Sequence, residues 1–218
     1  MKIVKNILIL VAVLIILHLV LTGINILENG VGGYDGRSME RILKKSPEAA
    51  TVEDIEALPK SEISQLFLAA PAPDFKSMRG EYRAKLIHIG TQAFMNEFYA
   101  HHMMGPGHWE AKAFIPTGSK SGWGYNVFTV GEGYNAATVR TMKMDTFIGP
   151  SRFDMNESFH LVYAAYNEGL NHSMRDEIRK INDRLYLGVG CLAWNFDIAN
   201  PAFFLLYGKP DKWVGPDS

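Results

Sequence analysis

The sequence predicts a mainly β protein: an antiparallel barrel of about eight strands, preceded by a transmembrane helix and short helices. Eight segments that read as strands follow one another between Gly80 and Tyr207, at short spacing and without long helices between them. Closing such a set into a barrel removes exposed strand edges; an open, strongly curved sheet with a helix packed inside it is the alternative. Ahead of them, Ile3 to Leu27 is apolar apart from Lys5, Asn6, His18, Thr22 and Asn25, enough for the roughly 20 helical residues that cross a bilayer. The chain divides into a signal anchor (1–28), a linker with short helices (29–77) and a barrel domain (78–218).

The apolar run continues past the length of a signal-peptide core, usually about 7 to 15 residues, and no clear Ala-x-Ala cleavage site follows it. An uncleaved anchor is therefore favoured over a cleaved leader. Lys2 and Lys5 precede the run and belong on the cytoplasmic side, which puts the body in the periplasm or a comparable extracytoplasmic space. His18 near the end of the run is read as a residue that reaches toward the interface.

Gly30, Gly32, Gly33 and Gly36 give a flexible exit from the membrane. Arg37 to Lys45 can form a short helix stopped by Ser46-Pro47. Thr51 with Asp54 forms a capping box opening Val52 to Leu58, and Ser61 can cap a helix through Ala69. The face of Ile63, Leu66, Phe67 and Ala70 needs an apolar partner, either the body or, in a lid, a pocket.

In the body, Tyr82, Ala84 and Leu86 alternate with Glu81, Arg83 and Lys85 in a first strand. Thr91 to Met104 reads as a helix. From His108, Trp109, Ala111, Ala113 and Ile115 fall on one face and Glu110 and Lys112 on the other. The turn formers Pro116 to Gly122 lead into Trp123, Tyr125 and Val127. Ala137 to Gly149 alternates again, with Arg140, Met142 and Met144 on one side. Phe159, Leu161, Tyr163 and Ala165 share a face, and Arg175 to Ile181, Leu185 to Trp194 and Ala202 to Tyr207 complete the set.

Gly107-His108-Trp109, at the head of a hairpin and after a helix, resembles the Gly-x-Trp signature of lipocalins and related calycins. In that family the tryptophan closes one end of the barrel, and a small apolar ligand occupies the interior. The resemblance thus implies a calycin-like barrel with a ligand inside, although here a strand-like segment precedes the motif.

The 218-residue chain is 47% hydrophobic, and its 22 basic and 23 acidic side chains give a net charge of -1. That balance offers no footprint for nucleic acid. Cys191 is the single cysteine, so an intrachain disulfide is impossible. The candidate ligand-binding residues are Trp109, Tyr125, Arg140, Tyr163, Arg175, Glu177 and Arg179. Arg175, Glu177 and Arg179 share one face of a strand that is charged on both sides. Turned inward, an Arg and Glu pair would hold a ligand's head group; turned outward, it would form an ion-pair network. Glu97, His101, His102, Met103, Met104 and His108 match no metal motif, so no metal is assigned and no cofactor is expected. Gly188-Val-Gly190 imitates a dinucleotide fingerprint but lacks the following helix.

The functional expectation is a membrane-anchored protein that binds a lipid-like or other apolar small molecule inside its barrel. The alternatives are an exported enzyme using Glu177 or Asp176 as acid/base with Arg175 or Arg179, and an accessory subunit docking a membrane-protein partner through the Ile63 to Leu68 face.

Overall fold

A computed structural model, which describes residues 2–30 and 32–217, shows a closed barrel of eight antiparallel strands in the order β1 to β8. The segment limits expected at Met1 and Ser218 lie outside the described residues. The strands are β1 (Gly80–Leu86), β2 (His108–Pro116), β3 (Ser121–Val130), β4 (Ala137–Pro150), β5 (Glu157–Val162), β6 (Arg175–Asn182), β7 (Leu185–Cys191) and β8 (Ala202–Asp211). β8 pairs back onto β1, so the ring has no open edge, and the open-sheet alternative does not apply.

Helix α1 (Lys2–Leu27) is long and apolar enough to cross a membrane, and most of its surface is exposed. Helices α2 (Met39–Leu43), α3 (Val52–Glu56) and α4 (Lys60–Ala69) follow. The capping box is present: Thr51 accepts from Asp54 N–H while the Asp54 carboxylate accepts from Thr51 N–H. The apolar side of these helices lies against the outer face of β6 to β8, where Ile42, Ile55, Ile63, Leu66 and Phe67 pack on Ile181, Leu187, Val189, Phe203 and Leu205. The Ile63 to Phe67 face is thus covered by the barrel itself. The expected helix after β1 is divided into α5 (Ala93–Phe98) and a π turn (Tyr99–Met103), and α6 (Gly169–His172) lies between β5 and β6.

Three bulges decide which side chains enter the barrel. Trp109 pairs with Phe128 but Ala111 with Val127, so Glu110 is an extra residue in β2. Past it the alternation reverses: Lys112 and Phe114 turn toward the interior with Trp109, and Ala111 and Ala113 join an outer cluster with Tyr125 and Val127. In β4 the pairing slips between Gly124 and Asn126, next to Met142 with φ 56°. Met142 and Met144 stay inside while Arg140 ends outside, against Glu81. In β6 an extra residue, Ile181, shifts the register before Asn182.

The interior is largely filled. Tyr82, Phe114, Phe128, Phe159 and Tyr186 pack there with Leu161, Ile178 and Leu206. Gly188 is required by this packing, because a Cβ on it would stand 2.2 Å from the Phe204 ring. The expectation of a hollow middle is therefore corrected: among the described residues, aromatic side chains occupy most of it, and a cavity survives toward one end.

Candidate functional site

The end that stays open is the one where β1 leads into α5 and β7 leads into the loop before β8. A cavity of about 70 Å³ lies there, with Trp109, Lys112, Asp176, Gly190 and Phe204 deep in the barrel, and Gln92, Tyr99, Trp194 and His18 of α1 nearer the mouth. At the roughly 10–15 Å³ that each water centre requires, this is room for about five waters or a small organic group.

Its floor is a buried polar cluster. Lys112 Nζ donates to Asp176 Oδ2 at 2.8 Å, to the Tyr163 hydroxyl at 2.6 Å and to Asn126 Oδ1 at 3.0 Å. Tyr163 donates in turn to Asp176 Oδ2 at 3.0 Å, and Trp109 Nε1 to Asn126 Oδ1 at 3.0 Å. The ammonium is also flanked by the rings of Trp109, Tyr163 and Phe204, 5.0 to 5.3 Å away. Burial pulls the Lys112 pKa down, opposed by the Asp176 carboxylate, and burial raises the Tyr163 phenol well above its usual range. Tyr163 therefore remains a proton donor at neutral pH.

The mouth is fastened to α1 by a second polar network. Asn25 Nδ2 donates to Asn200 Oδ1 at 2.6 Å, and Asn200 Nδ2 to Gln92 Oε1 at 2.7 Å. Gln92 Nε2 donates to Thr22, Lys60 Nζ to the Asn25 carbonyl, and Thr91 Oγ1 to the Leu21 carbonyl. His18 stacks on Trp194. Thr22 and Asn25, the polar interruptions near the end of the apolar run, are both 1% exposed and form this joint. Burial lowers the Lys60 pKa to about 8.

The candidate residues read from the sequence separate into two groups. Trp109 and Tyr163 are in the interior at the polar floor. Tyr125 and Arg140 lie on the outside, where both bond Glu81 and hold the C-terminal tail: Tyr125 accepts from Gly215 N–H and Arg140 N–H donates to Asp217. Arg175 is exposed at the start of β6. Glu177 is buried outside the barrel beside Arg152 and His160. Arg179, 0% exposed, pairs with Asp154 and donates to the Phe67 and Leu68 carbonyls of α4. The Arg175, Glu177 and Arg179 face of β6 therefore points outward, and Met174, Asp176 and Ile178 point in. The reason lies outside the barrel: α4 covers the outer face and supplies two carbonyls to Arg179, and the β4–β5 turn supplies Asp154, partners that the aromatic interior lacks.

Lys112 and Asn126 were not among those candidates, and Asp176 was named only as an acid/base alternative to Glu177. The bulge at Glu110 hides Lys112, which simple alternation places opposite Trp109. A signal for Asp176 was available, since a lone carboxylate between Met174 and Ile178 on the more apolar face of a strand calls for a buried partner. Among the histidines, His88 pairs with Glu97 and His101 stacks on His108. No cluster of three His, Cys, Asp or Glu fit for a metal is present among the described residues.

No protein-family model matches the chain, and no curated protein matches it. A solved crystal structure of a protein from Thermomonospora curvata superposes with a TM-score of 0.50 at 12% identity, over 78% of this chain and 97% of that one. The chain shares a barrel fold with that protein. At such identity the likeness extends to the fold alone.

Proposed function

We propose that this is a membrane-anchored, extracytoplasmic protein whose barrel, lipocalin-like in use, takes up a lipid-like or other apolar small molecule at the end facing its anchor. The observation that carries this reading is the cavity shared between the barrel and α1, with His18 of the apolar helix at its mouth and Trp109 and Phe204 deeper in. Such a mixture of apolar walls and a few convergent polar groups suits a small-molecule site. The surroundings of the mouth fit access from a bilayer: Phe94, Phe98, Trp194, Phe196 and Ile198 are exposed on α5 and the β7–β8 loop beside α1. The small free volume favours a slender chain end or a single ring over a whole phospholipid.

The full chain, purified in nanodiscs after exposure to a membrane lipid extract and washed, should retain an apolar molecule that mass spectrometry detects after denaturation. Retention should fall at least tenfold when Gly188-side packing is left intact and Ala202→Phe fills the cavity wall. Absence of any retained molecule from the unmodified chain overturns the reading. A second reading, an enzyme acting on such a molecule, is supported by Asp176 and Lys112 lining the same cavity; turnover that survives Asp176→Asn would end it.

A further inference from the structure

Counting donors and acceptors at the cavity floor gives an imbalance. All three N–H groups of Lys112 are directed at Asp176 Oδ2, Tyr163 and Asn126, and the Tyr163 hydroxyl donates to Asp176 Oδ2. Trp109 Nε1 is directed at Asn126 Oδ1. Asp176 Oδ1, on a side chain that is 3% exposed, receives nothing from the described residues. Asn195 Oδ1, on the same cavity wall, also lacks a donor, its amide nitrogen being turned to Gln92 Oε1. The floor thus has acceptors to offer and its cation's hydrogens are already committed.

Gly190 leaves the space beside Oδ1 without a side chain. It pairs directly across from Asp176 on β7, and a Cβ on it would stand 3.4 Å from Oδ1. Both residues line the cavity, and the missing methyl leaves the carboxylate room to turn Oδ1, itself enclosed in this structure, toward it. Charge points the same way, because Lys112 and Asp176 balance one another. A ligand carboxylate would add an acceptor and a negative charge, and a ligand ammonium would set a second cation beside Lys112.

We infer that the cavity selects a neutral apolar molecule carrying a hydroxyl, an alcohol or phenol, which donates its hydrogen bond to Asp176 Oδ1. This rests on the cavity being a ligand site and names the chemistry of its ligand.

The test compares p-cresol with its isomer anisole, which lacks a donor, and with benzoate, by titration calorimetry on the full chain in amphipol. p-Cresol should bind at least tenfold more tightly than either. Gly190→Ala, whose methyl meets Oδ1 at ordinary contact distance, should reduce that preference below threefold without changing the unfolding midpoint appreciably. Equal binding of p-cresol and anisole overturns the inference and leaves the ligand reading standing. Tighter binding of benzoate overturns it in favour of a donor such as the Asn96 amide, which also lines the cavity. Binding of none of the three overturns it as well, and only if the lipid extract also yields nothing does the ligand reading fall with it.

Discussion

Lys112 Nζ and Asp176 Oδ2 face each other at 2.8 Å across the barrel, from strands β2 and β6, with both side chains 3% exposed. Removing one partner strands the other charge in an aromatic interior. Lys112→Met and Asp176→Leu should each cost about 3–5 kcal/mol, and the double variant should be closer to the parent than either single. Urea unfolding of all four proteins measures this; additive losses would mean that the two charges do not support each other.

Arg179 holds the helix layer to the barrel, with Asp154 at 2.5 Å and the Phe67 and Leu68 carbonyls each at 3.1 Å. Arg179→Met should cost about 3 kcal/mol, because it leaves the Phe67 and Leu68 carbonyls without this donor and the Asp154 carboxylate without its cation. Hydrogen exchange should quicken first in Lys60–Ala69. Unchanged protection there would show that apolar packing alone fixes α4.

Stability should rise between about pH 8 and pH 10 through Lys60. Burial lowers its folded pKa to about 8, below the roughly 10.4 of an unfolded lysine. Across that window the unfolded chain holds more protons, so raising the pH favours the folded state. Near pH 10 Tyr82 adds an opposing trend, since burial pushes its phenol up to about 12 and the unfolded chain then ionises first. Burial also holds the Cys191 thiol well above its unfolded value, which lowers stability from about pH 8.5 upward; the Lys60 contribution is therefore read as a difference, and the denaturation midpoint of the parent relative to Lys60→Met should rise from pH 7.5 through 8.5 to 9.5.

Trp194, exposed beside His18 of α1, should lie within reach of lipid, and Trp123 at the opposite end of the barrel should not. Brominated lipids in nanodiscs should quench the intrinsic fluorescence, and Trp194→Phe should remove most of that quenching. Quenching that persists in this variant and disappears in Trp123→Phe would invert the orientation of the barrel.

The barrel itself was legible because strand alternation and turn chemistry agree along most of the chain. Tyr82, Ala84 and Leu86 face inward as their spacing dictates, as do Phe159, Leu161 and Tyr163. The Thr51 and Asp54 capping box was likewise written in four residues. The polar floor was harder to read because a single extra residue reverses every side chain after it, and nothing local marks Glu110 as that residue. Lys112 meets Asp176 only after 63 intervening positions have closed a ring, a distance over which period-two patterns carry no information about partners. The face of β6 was ambiguous for a different reason. Both sides carry charge, and the choice was made by α4, a tertiary neighbour that no property of the strand reveals.

The joint built from Thr22, Asn25, Gln92 and Asn200 makes α1 one wall of the cavity at the barrel mouth. A body trimmed after Leu27 for crystallisation would expose the amides of Gln92 and Asn200 to solvent and lose the His18 side of the chamber. Affinities measured on such a fragment would describe a vessel missing one of its walls.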